Sequence, residues 1–264
     1  MQTFERQYAE LIQTILNSGN VRQTRNGETK SMFAMSLHVD VGDSFPIIEG
    51  RKMYPKGILG EFAAMIRKPK CLDDFEKWGC NYWKKWAKAD GSINVDYGNA
   101  WFEGGQMDHL FHCLEHNPTD RRMIINGWRP DKLAELDLPC CHYSYQFYVE
   151  GDKLHMIWNQ RSVDMMIGLP SDIVFAAVWL IALANQFGYK PGFIKFNLGD
   201  CHVYEEHYAE AWLYIARCIQ AEPSSGPSYQ LCTPAGYNSL GFEPVDLIIH
   251  NYYPMDSIKL ELKA

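Results

Sequence analysis

The chain has 264 residues, a formal net charge of −7 and an aromatic share of 14%. This length is enough for one large domain with a substantial core, and we expect a single domain over 1–264. The acidic balance argues against direct binding of nucleic acid, which requires a basic surface. Eight Trp and fifteen Tyr favour a cleft for flat rings, although such residues also fill cores.

The cysteines indicate a reducing compartment rather than a disulfide framework. Eight are present, with no CxxC pair and no His/Cys interval typical of a metal site, so no metal is expected. The first residues contain no apolar signal core. The longest apolar run, 173–184, is too short to cross a bilayer and predicts a buried helix, so no membrane partner is expected.

Over the first ninety residues the sequence predicts a helix, a polar loop, a strand and two further helical segments. Apolar residues at helical spacing predict a helix from Phe4 that ends at Gly19. Residues 20–30 are expected to form a polar loop with a turn at Arg25-Asn26-Gly27. The next predicted elements are a strand over 32–41, a short helix over 58–66 that carries Glu61, and a helical aromatic region over 72–87.

The rest of the chain predicts a sheet with long helices packed against it. A buried helix is expected to begin at Pro170, with Ser171 as its N-cap, and to stop at Gly188. Strands are predicted over 122–126, 143–150, 153–160, 193–197 and 247–253, the second and third forming a hairpin. A loop is expected over 199–202, followed by an amphipathic helix through Ala221. The predicted class is α+β, with a large sheet covered by helices.

Cys141 is the candidate nucleophile. A lone cysteine is more often a buried structural residue, and this is the alternative for Cys141. However, Pro139 interrupts regular structure just before it, and a predicted strand begins just after it. This context suits a side chain presented at the mouth of a strand. A thiolate there can attack an electron-poor ring where positive charge lies nearby.

Arginines supply the candidate positive charge. Arg161 and Ser162 lie where the second hairpin strand stops being apolar, and Arg25, Arg121 and Arg122 could converge with them. A guanidinium fork matches phosphate oxygens in two-point contact, and a hydroxyl adds a neutral donor. Surface salt bridges are the alternative, because the sequence alone does not establish convergence.

Two carboxylates, Asp164 and Asp172, bracket the apolar stretch 165–169. A carboxylate beside buried chain is costly unless donors satisfy it. One interpretation is that both hold the amino groups of heterocyclic ligands. The other is a charge near the start of the buried helix, which is a fair account of Asp172.

Five linked motifs resemble the thymidylate synthase family in their order and spacing. They are Leu138-Pro139-Cys140-Cys141-His142, Gln146-Phe147-Tyr148-Val149, Gln160-Arg161-Ser162-Val163-Asp164, Gly168-Leu169-Pro170 and Gly199-Asp200-Cys201-His202-Val203-Tyr204. The resemblance extends over nearly the whole chain. It implies the fold of that family, a large twisted mixed sheet covered by helices, in a homodimer that forms through the sheet and shares its active sites.

The resemblance also implies the roles of the substrate-binding residues. Cys141 would add to ring carbon 6 of a nucleotide monophosphate, and Glu61 would manage proton transfers. The phosphate would be held by Arg25, Arg161 and Ser162, completed from the other subunit by Arg121 and Arg122. The remaining contacts to base and sugar would come from Gln160, Asp172, His202 and Tyr204.

The second substrate implied by the resemblance is 5,10-methylenetetrahydrofolate. This folate would supply the one-carbon unit as a cosubstrate, and no metal would take part. The residues implied for its site are Trp83, Trp86, Leu138, Asp164, Gly168 and Arg51.

Asp172 is the main departure from thymidylate synthases, which carry Asn at the matching position to bind uracil. An ionised Asp would accept from the cytosine amino group and favour a protonated cytosine ring, whereas uracil presents a carbonyl oxygen there. An unpaired polar group costs about 1–3 kcal/mol, or about one to two decades of discrimination. The same Asp is typical of the related phage deoxycytidylate hydroxymethylases. The resemblance thus implies dCMP hydroxymethylase activity in the cytoplasm of a bacterium or a phage-infected host cell.

The choice of product is the most open part of the hypothesis. Ser171 stands where synthases usually have a bulky aromatic residue, and the chain end, 260–264, lacks their apolar tail. Both changes favour capture of water, which gives a hydroxymethyl group, over hydride transfer, which gives a methyl group. The alternatives are a dCMP methyltransferase, a thymidylate synthase acting on dUMP, and a catalytically silent nucleotide-binding homologue. The retained nucleophile argues against the last of these.

Overall fold

A computed structural model of the protein describes residues 1–42 and 44–263, so that Ala264 of the chain end lies outside the described residues. The α-helices are α1 (Thr3–Ser18), α2 (Pro55–Met65), α3 (Leu72–Glu76), α4 (Tyr97–Ala100), α5 (Gln106–His116), α6 (Gly168–Phe187) and α7 (Tyr208–Gln220). The strands are β1 (Asn20–Thr24), β2 (Gly27–Asp40), β3 (Ile124–Asn126), β4 (His142–Glu150), β5 (Lys153–Asp164), β6 (Lys190–Tyr204), β7 (Ser228–Leu231) and β8 (Leu247–His250). Short 3₁₀ helices span Tyr82–Trp86, Glu103–Gly105, Glu205–His207, Ser239–Gly241 and Pro244–Asp246.

A six-stranded mixed sheet organises the fold, in the order β1-β2-β6-β5-β4-β3. Neighbouring strands are antiparallel except β5 and β6, which are parallel. Antiparallel β4 and β5 need only the two-residue connection Gly151-Asp152, whereas a parallel pair needs a crossover, which α6 supplies. β7 and β8 form a separate antiparallel pair. The predicted α+β class, with a large mixed sheet covered by helices, is confirmed.

Helix α6 is the buried helix at the centre of the core. Every residue from Ile173 to Ala184 is buried. Its length and composition alone would suit a membrane span, but 78% of its apolar window is enclosed by the rest of the chain, as in a core helix. Gly188 ends it in a left-handed conformation with φ 76°, as predicted. Ser171 is not the N-cap, because the helix begins at Gly168 and the Ser171 hydroxyl donates to the Ile167 carbonyl within it.

Three further predictions of local structure from the sequence were wrong. Residues 20–30 form a β-hairpin in which Thr24 pairs with Gly27; the exposed β1 has no apolar alternation that would reveal a strand. Residues 199–202 continue β6, because β2 and β5 pair with them on both sides. The region 72–87 splits into α3 and the helix Tyr82–Trp86, since Gly79 between them has φ 84°.

The residues of the sequence motifs lie together at one end of the sheet. Asp164 at the end of β5 pairs with His202 of β6, and Tyr204 of β6 pairs with Thr29 of β2. His142 at the start of β4 pairs with Gln160 of β5. The chain leaves β5 at this same end to begin α6. Strand register alone therefore brings together residues as distant in sequence as Thr29 and Tyr204, which are 175 positions apart.

Candidate active site

Cys141 lies immediately before β4, half-buried, with its backbone fixed on both sides. Its N–H donates to the Tyr97 hydroxyl at 2.9 Å, and its carbonyl oxygen accepts from the Arg161 N–H at 2.8 Å. Burial raises the pKa of the Cys141 thiol, although Tyr97 and the Arg161 guanidinium act in the opposite direction. The thiol is therefore held beside the two groups that stabilise its thiolate form.

The residues on either side of Cys141 belong to the core. The Cys140 thiol donates to the Gly127 carbonyl at 3.3 Å, and burial raises its pKa to about 12. His142 is buried with Nδ1 2.5 Å from the Tyr145 hydroxyl, and burial lowers its pKa to about 3. Cys140 therefore stays a thiol and His142 stays neutral at physiological pH, so neither is placed to act in place of Cys141.

Arg161 is exposed, and its guanidinium binds the backbone just before Cys141. Its Nε donates to the Cys140 carbonyl at 2.9 Å, and Nη2 donates to the Pro139 carbonyl at 3.0 Å. The guanidinium lies over the Trp128 ring, 5.4 Å from its centroid. These contacts fix a cation beside the thiol while leaving part of the fork towards solvent, where an anion can reach it.

Asp172 in α6 is joined to the sheet through Gln160. Gln160 Nε2 donates to Asp172 Oδ2 at 2.7 Å, and Gln160 Oε1 accepts from Trp158 Nε1 at 3.1 Å. Because an indole N–H can only donate, it fixes the orientation of the buried amide and directs its NH₂ group at the carboxyl. Burial raises the pKa of Asp172 to about 8, and the nearby Glu61 adds to this effect. Asp172 is therefore largely protonated at neutral pH.

Glu61 in α2 is the second carboxyl of the site. One oxygen accepts from the Tyr82 hydroxyl at 2.5 Å and the other from Trp83 Nε1 at 2.8 Å. Burial raises the pKa of Glu61 to about 7, while these two donors hold it down. A carboxyl with a pKa near 7 can both give and take a proton at physiological pH.

Asp164, Arg51 and Gly168 stabilise the turn between β5 and α6. Asp164 Oδ1 accepts from the N–H groups of Met166 and Ile167, at 2.8 and 3.1 Å. Arg51 is buried, and its Nη2 donates to the Met166 carbonyl at 2.5 Å, but its buried Nε has no partner among the described residues. A Cβ on Gly168 would lie 3.6 Å from Asp164 Cβ and 3.9 Å from Asp172 Oδ2, so this glycine lies against both side chains.

Aromatic rings form one wall beside Glu61. Trp83 is buried and stacks on Phe75, with ring centroids 4.9 Å apart. The Trp86 ring lies against the Trp83 ring with centroids 5.3 Å apart, and the Tyr97 ring meets the Trp83 ring edge-on at a centroid distance of 5.7 Å. Leu138 is half-buried and packs against the same core. Tyr97 thus contacts both this wall and Cys141.

His202, Tyr204, Ser162 and Arg25 lie at the same end of the sheet. Asp164 pairs with His202 across the parallel strands, and Ser162 pairs with Asp200. The rings of His202 and Tyr204 meet edge-on at 5.2 Å. Arg25 is exposed at the β1–β2 turn and its charge lowers the pKa of Tyr204, although burial raises that pKa overall.

Arg121 and Arg122 do not join the other arginines within one chain. Ile124, two residues after Arg122, pairs with Gln146, which pairs with Ile157. Arg161 lies four residues beyond Ile157 along β5, a distance of about 13 Å, and β5 is two strands away from β3. Both arginines are exposed, and Arg122 is bound by Asp120, with Nη2 to Oδ2 at 2.6 Å.

Residues near the end of the chain contact Lys85 and Glu206, which are close in sequence to Trp86 and Tyr204. Lys85, beside Trp86, donates to the Leu262 carbonyl, and Lys263 pairs with Glu206, two residues after Tyr204. Polar contacts therefore hold this segment between the aromatic wall and the end of β6.

Three residues with clear contacts in the site were not predicted as site residues. Tyr97 and Tyr82 contribute hydroxyl groups to Cys141 and Glu61, and Trp128 carries Arg161 on its ring face. None of the three lies in the five motifs that resemble the family, and Tyr82 is marked in the sequence only by its position next to Trp83.

Together the candidate site holds a thiol, a guanidinium and two carboxyl groups of raised pKa. These groups suit addition of a thiolate to an electron-poor ring, followed by proton transfers. A model of the thymidylate synthase family matches residues 6–264. Members of this family transfer a one-carbon unit from methylenetetrahydrofolate to carbon 5 of a pyrimidine nucleotide. Because the match covers almost the whole chain, this protein belongs to the thymidylate synthase family.

Proposed function

We propose that the protein is a dCMP hydroxymethylase, which uses 5,10-methylenetetrahydrofolate and water to place a hydroxymethyl group on carbon 5 of a cytidine monophosphate. The observation that carries this proposal is the pairing of Asp172 with the buried amide of Gln160 at the site. A carboxyl group held in this way is suited to the ring edge that distinguishes cytosine from uracil. We take 1–264 as one catalytic domain acting in the cytoplasm.

Base selection follows from the proton that Asp172 carries. The sequence alone favoured an ionised Asp172, but its pKa of about 8 makes the neutral acid the main form at neutral pH. A neutral acid can donate to the basic ring nitrogen of cytosine and accept from its amino group. In uracil the same nitrogen already carries a proton and has no basic lone pair to share it. When the proton moves to the cytosine ring, carboxylate and base form an ion pair that uracil, which lacks a basic ring nitrogen, does not form, and this favours cytosine.

Cys141 is the proposed nucleophile, and Glu61 the proposed proton carrier. The thiolate adds to ring carbon 6, and Arg161 stabilises its charge before the bond forms. Carbon 5 then becomes the nucleophilic position, and its proton must later leave. Glu61, with a pKa of about 7, is suited to receive and return protons at this stage.

Phosphate and sugar recognition use the exposed end of the sheet. Arg25, Arg161 and Ser162 are proposed to bind the phosphate, and His202 and Tyr204 the sugar hydroxyl. Arg121 and Arg122 are too far from Arg161 within one chain to share an anion with it. Their proposed role therefore requires a homodimer in which each subunit completes the phosphate site of the other, with the sheets facing each other.

The residues present fit a folate. Trp83 and Trp86 offer ring faces for a flat bicyclic group, and the unpartnered Nε of buried Arg51 offers a donor. Gly168 leaves room beside Asp164, whose second oxygen could accept from a ring amino group; Leu138 adds an apolar contact. When bound, the folate supplies the one-carbon unit, and these residues orient it and limit its contact with water.

Hydroxymethylation, rather than methylation, is supported by the polar surroundings of α6. The Ser171 side chain is small and occupied by its bond to the Ile167 carbonyl, so it fills less space than an aromatic ring would. The segment around Leu262 is held by polar contacts, since Lys85 donates to the Leu262 carbonyl and Lys263 pairs with Glu206. Both features favour entry of water beside Glu61. A dCMP methyltransferase is the second candidate, favoured by the retained Trp83 and Trp86.

A tritium-release assay with product analysis tests this proposal. The enzyme is incubated with methylenetetrahydrofolate and dCMP, dUMP or CMP labelled at carbon 5, and the product is identified by mass. We expect release from dCMP and a hydroxymethyl product. Release from dUMP alone would identify a thymidylate synthase, a methyl product from dCMP a methyltransferase, and no release from any nucleotide a silent binding protein.

A further inference from the structure

We propose that His109, Cys113 and Asp120 form a binding site for Zn²⁺ or a similar divalent cation. The potential ligand atoms of these three residues all lie within 4.8 Å of one another. His109 and Cys113 are four residues apart on α5, which places them on one face of the helix. Asp120 is brought back to that face by a turn in which its N–H donates to the Asn117 carbonyl at 3.0 Å.

The donor set matches zinc chemistry. An imidazole, a thiolate and a carboxylate are the three ligand types that zinc accepts, and three protein ligands leave a fourth position for water. Zinc bonds of ordinary length and tetrahedral angle separate a sulfur and a nitrogen ligand by about 3.6 Å. Cys113 Sγ lies 3.6 Å from His109 Nε2. This pair is therefore already at ligand spacing, and only the carboxylate has to move closer.

The site is accessible from solvent, and a neighbouring side chain orients its carboxylate. His109 is exposed, Cys113 is buried beneath it and Asp120 is half-buried, so a cation can enter from solvent and reach the thiol. Asn117 Nδ2 lies 3.3 Å from Asp120 Oδ2 and helps to orient the carboxylate. The sequence predicted no metal because it shows no CxxC pair and no His/Cys interval typical of a metal site, whereas α5 brings the ligand atoms of His109 and Cys113 together one helical turn apart.

Arg122 competes with the cation for Asp120. The Asp120 carboxylate accepts from the Arg122 N–H at 2.8 Å, from Nε at 2.9 Å and from Nη2 at 2.6 Å. A bound cation would draw charge from the oxygens that now hold this guanidinium. Removing the guanidinium should therefore tighten metal binding, whereas removing any of the three ligands should weaken it.

Titration of the metal-free, full-length protein with Co²⁺, without a histidine tag, tests the proposal. We expect one ion per chain, a thiolate-to-cobalt charge-transfer band, and displacement by Zn²⁺. Cys113→Ser should abolish the band, His109→Ala should weaken binding roughly tenfold or more, and Arg122→Gln should tighten it. His109→Ala changes an exposed side chain, so it keeps the test valid if the buried Cys113 variant does not fold.

Matched controls lie on the same helix and elsewhere in the chain. His112→Ala removes an exposed histidine whose ring packs on His116 instead, and Cys71→Ser removes a half-buried thiol near Asp74. Both should bind Co²⁺ like the unmodified protein. The proposal is wrong if no saturable binding occurs, if the band persists in Cys113→Ser, or if His112→Ala weakens binding as much as His109→Ala.

Discussion

Gln160 Nε2 and Asp172 Oδ2 are joined by a hydrogen bond of 2.7 Å that links the sheet to the central helix. Gln160 is buried and cannot reverse its amide, because Trp158 donates to its oxygen. The bond therefore fixes one oxygen of Asp172 and leaves the other for a ligand.

Gln160→Met should lower kcat/KM for dCMP by roughly tenfold and reduce the preference for dCMP over dUMP. The variant removes the donor that holds down the pKa of Asp172, so this pKa should rise further and the carboxyl should lose its fixed orientation. Kinetics with both nucleotides measure the effect. A general loss of fold would lower both activities equally, so an unchanged preference would argue against the role of Gln160.

Cys141→Ser should reduce turnover on the order of 10⁴-fold or more, while nucleotide binding largely survives. The backbone contacts of Cys141 with Tyr97 and Arg161 do not depend on its sulfur. Cys140→Ser is the matched control, because its thiol only donates to the Gly127 carbonyl. Tritium release and calorimetric binding of dCMP give the two readouts. An inactive Cys140 variant together with an active Cys141 variant would show that the wrong cysteine has been assigned.

Mixed dimers should reveal whether Arg122 acts across subunits. Cys141→Ser and Arg122→Ala chains are each expected to be inactive, but a heterodimer of the two contains one site with an intact thiol and an intact partner arginine. Some activity should therefore return on mixing. Cys141→Ser mixed with Glu61→Gln is the control and should stay inactive, since both defects lie in the chain's own site. Absence of rescue in verified Cys141/Arg122 heterodimers would rule out a shared site.

Glu61→Gln should abolish turnover and make thermal stability less dependent on pH. The pKa of Glu61 is raised from an ordinary value of 4.5 to about 7, so the folded chain binds more protons than the unfolded chain between these values. Stability in the wild type therefore falls as pH rises from about 4.5 to 7, on the order of 3 kcal/mol from this group. The amide avoids this loss, since its oxygen can still accept from Trp83 while its NH₂ faces the Tyr82 hydroxyl.

Melting temperatures at pH 5 and pH 8 measure this effect. The wild type should lose more stability over this interval than Glu61→Gln does. Glu115→Gln, on the exposed face of α5, is the control and should follow the wild type. Parallel pH dependence in all three proteins would contradict the raised pKa of Glu61.

Local sequence patterns predicted the elements whose burial is regular. The helix that ends at Gly188 and the β4–β5 hairpin both have a clear apolar pattern and a clear turn signal. β1 was missed because all five of its residues are exposed, so no alternation marks it. The continuation of β6 through 199–202 was missed because its pairing comes from β2 and β5, which are distant in sequence.

Sequence resemblance proposed residues for the candidate site but not the contacts among them. It implied roles for Cys141, Glu61 and Asp172, whereas the contacts of Tyr97 and Tyr82 depend on tertiary packing that no motif describes. The protonation of Asp172 is a further example, because it depends on burial and on the proximity of Glu61. An ionised Asp172 was the natural expectation from sequence alone. Charge states in a buried site follow from the fold rather than from residue identity.

The substrate preference of Asp172→Asn tests the central claim most directly. Asn caps a helix about as well as Asp, so a purely structural role predicts little change in stability and none in preference. If Asp172 reads cytosine, the ratio of kcat/KM for dCMP to that for dUMP should fall by roughly tenfold or more in the variant. A ratio equal to that of the wild type would contradict the assignment to cytosine.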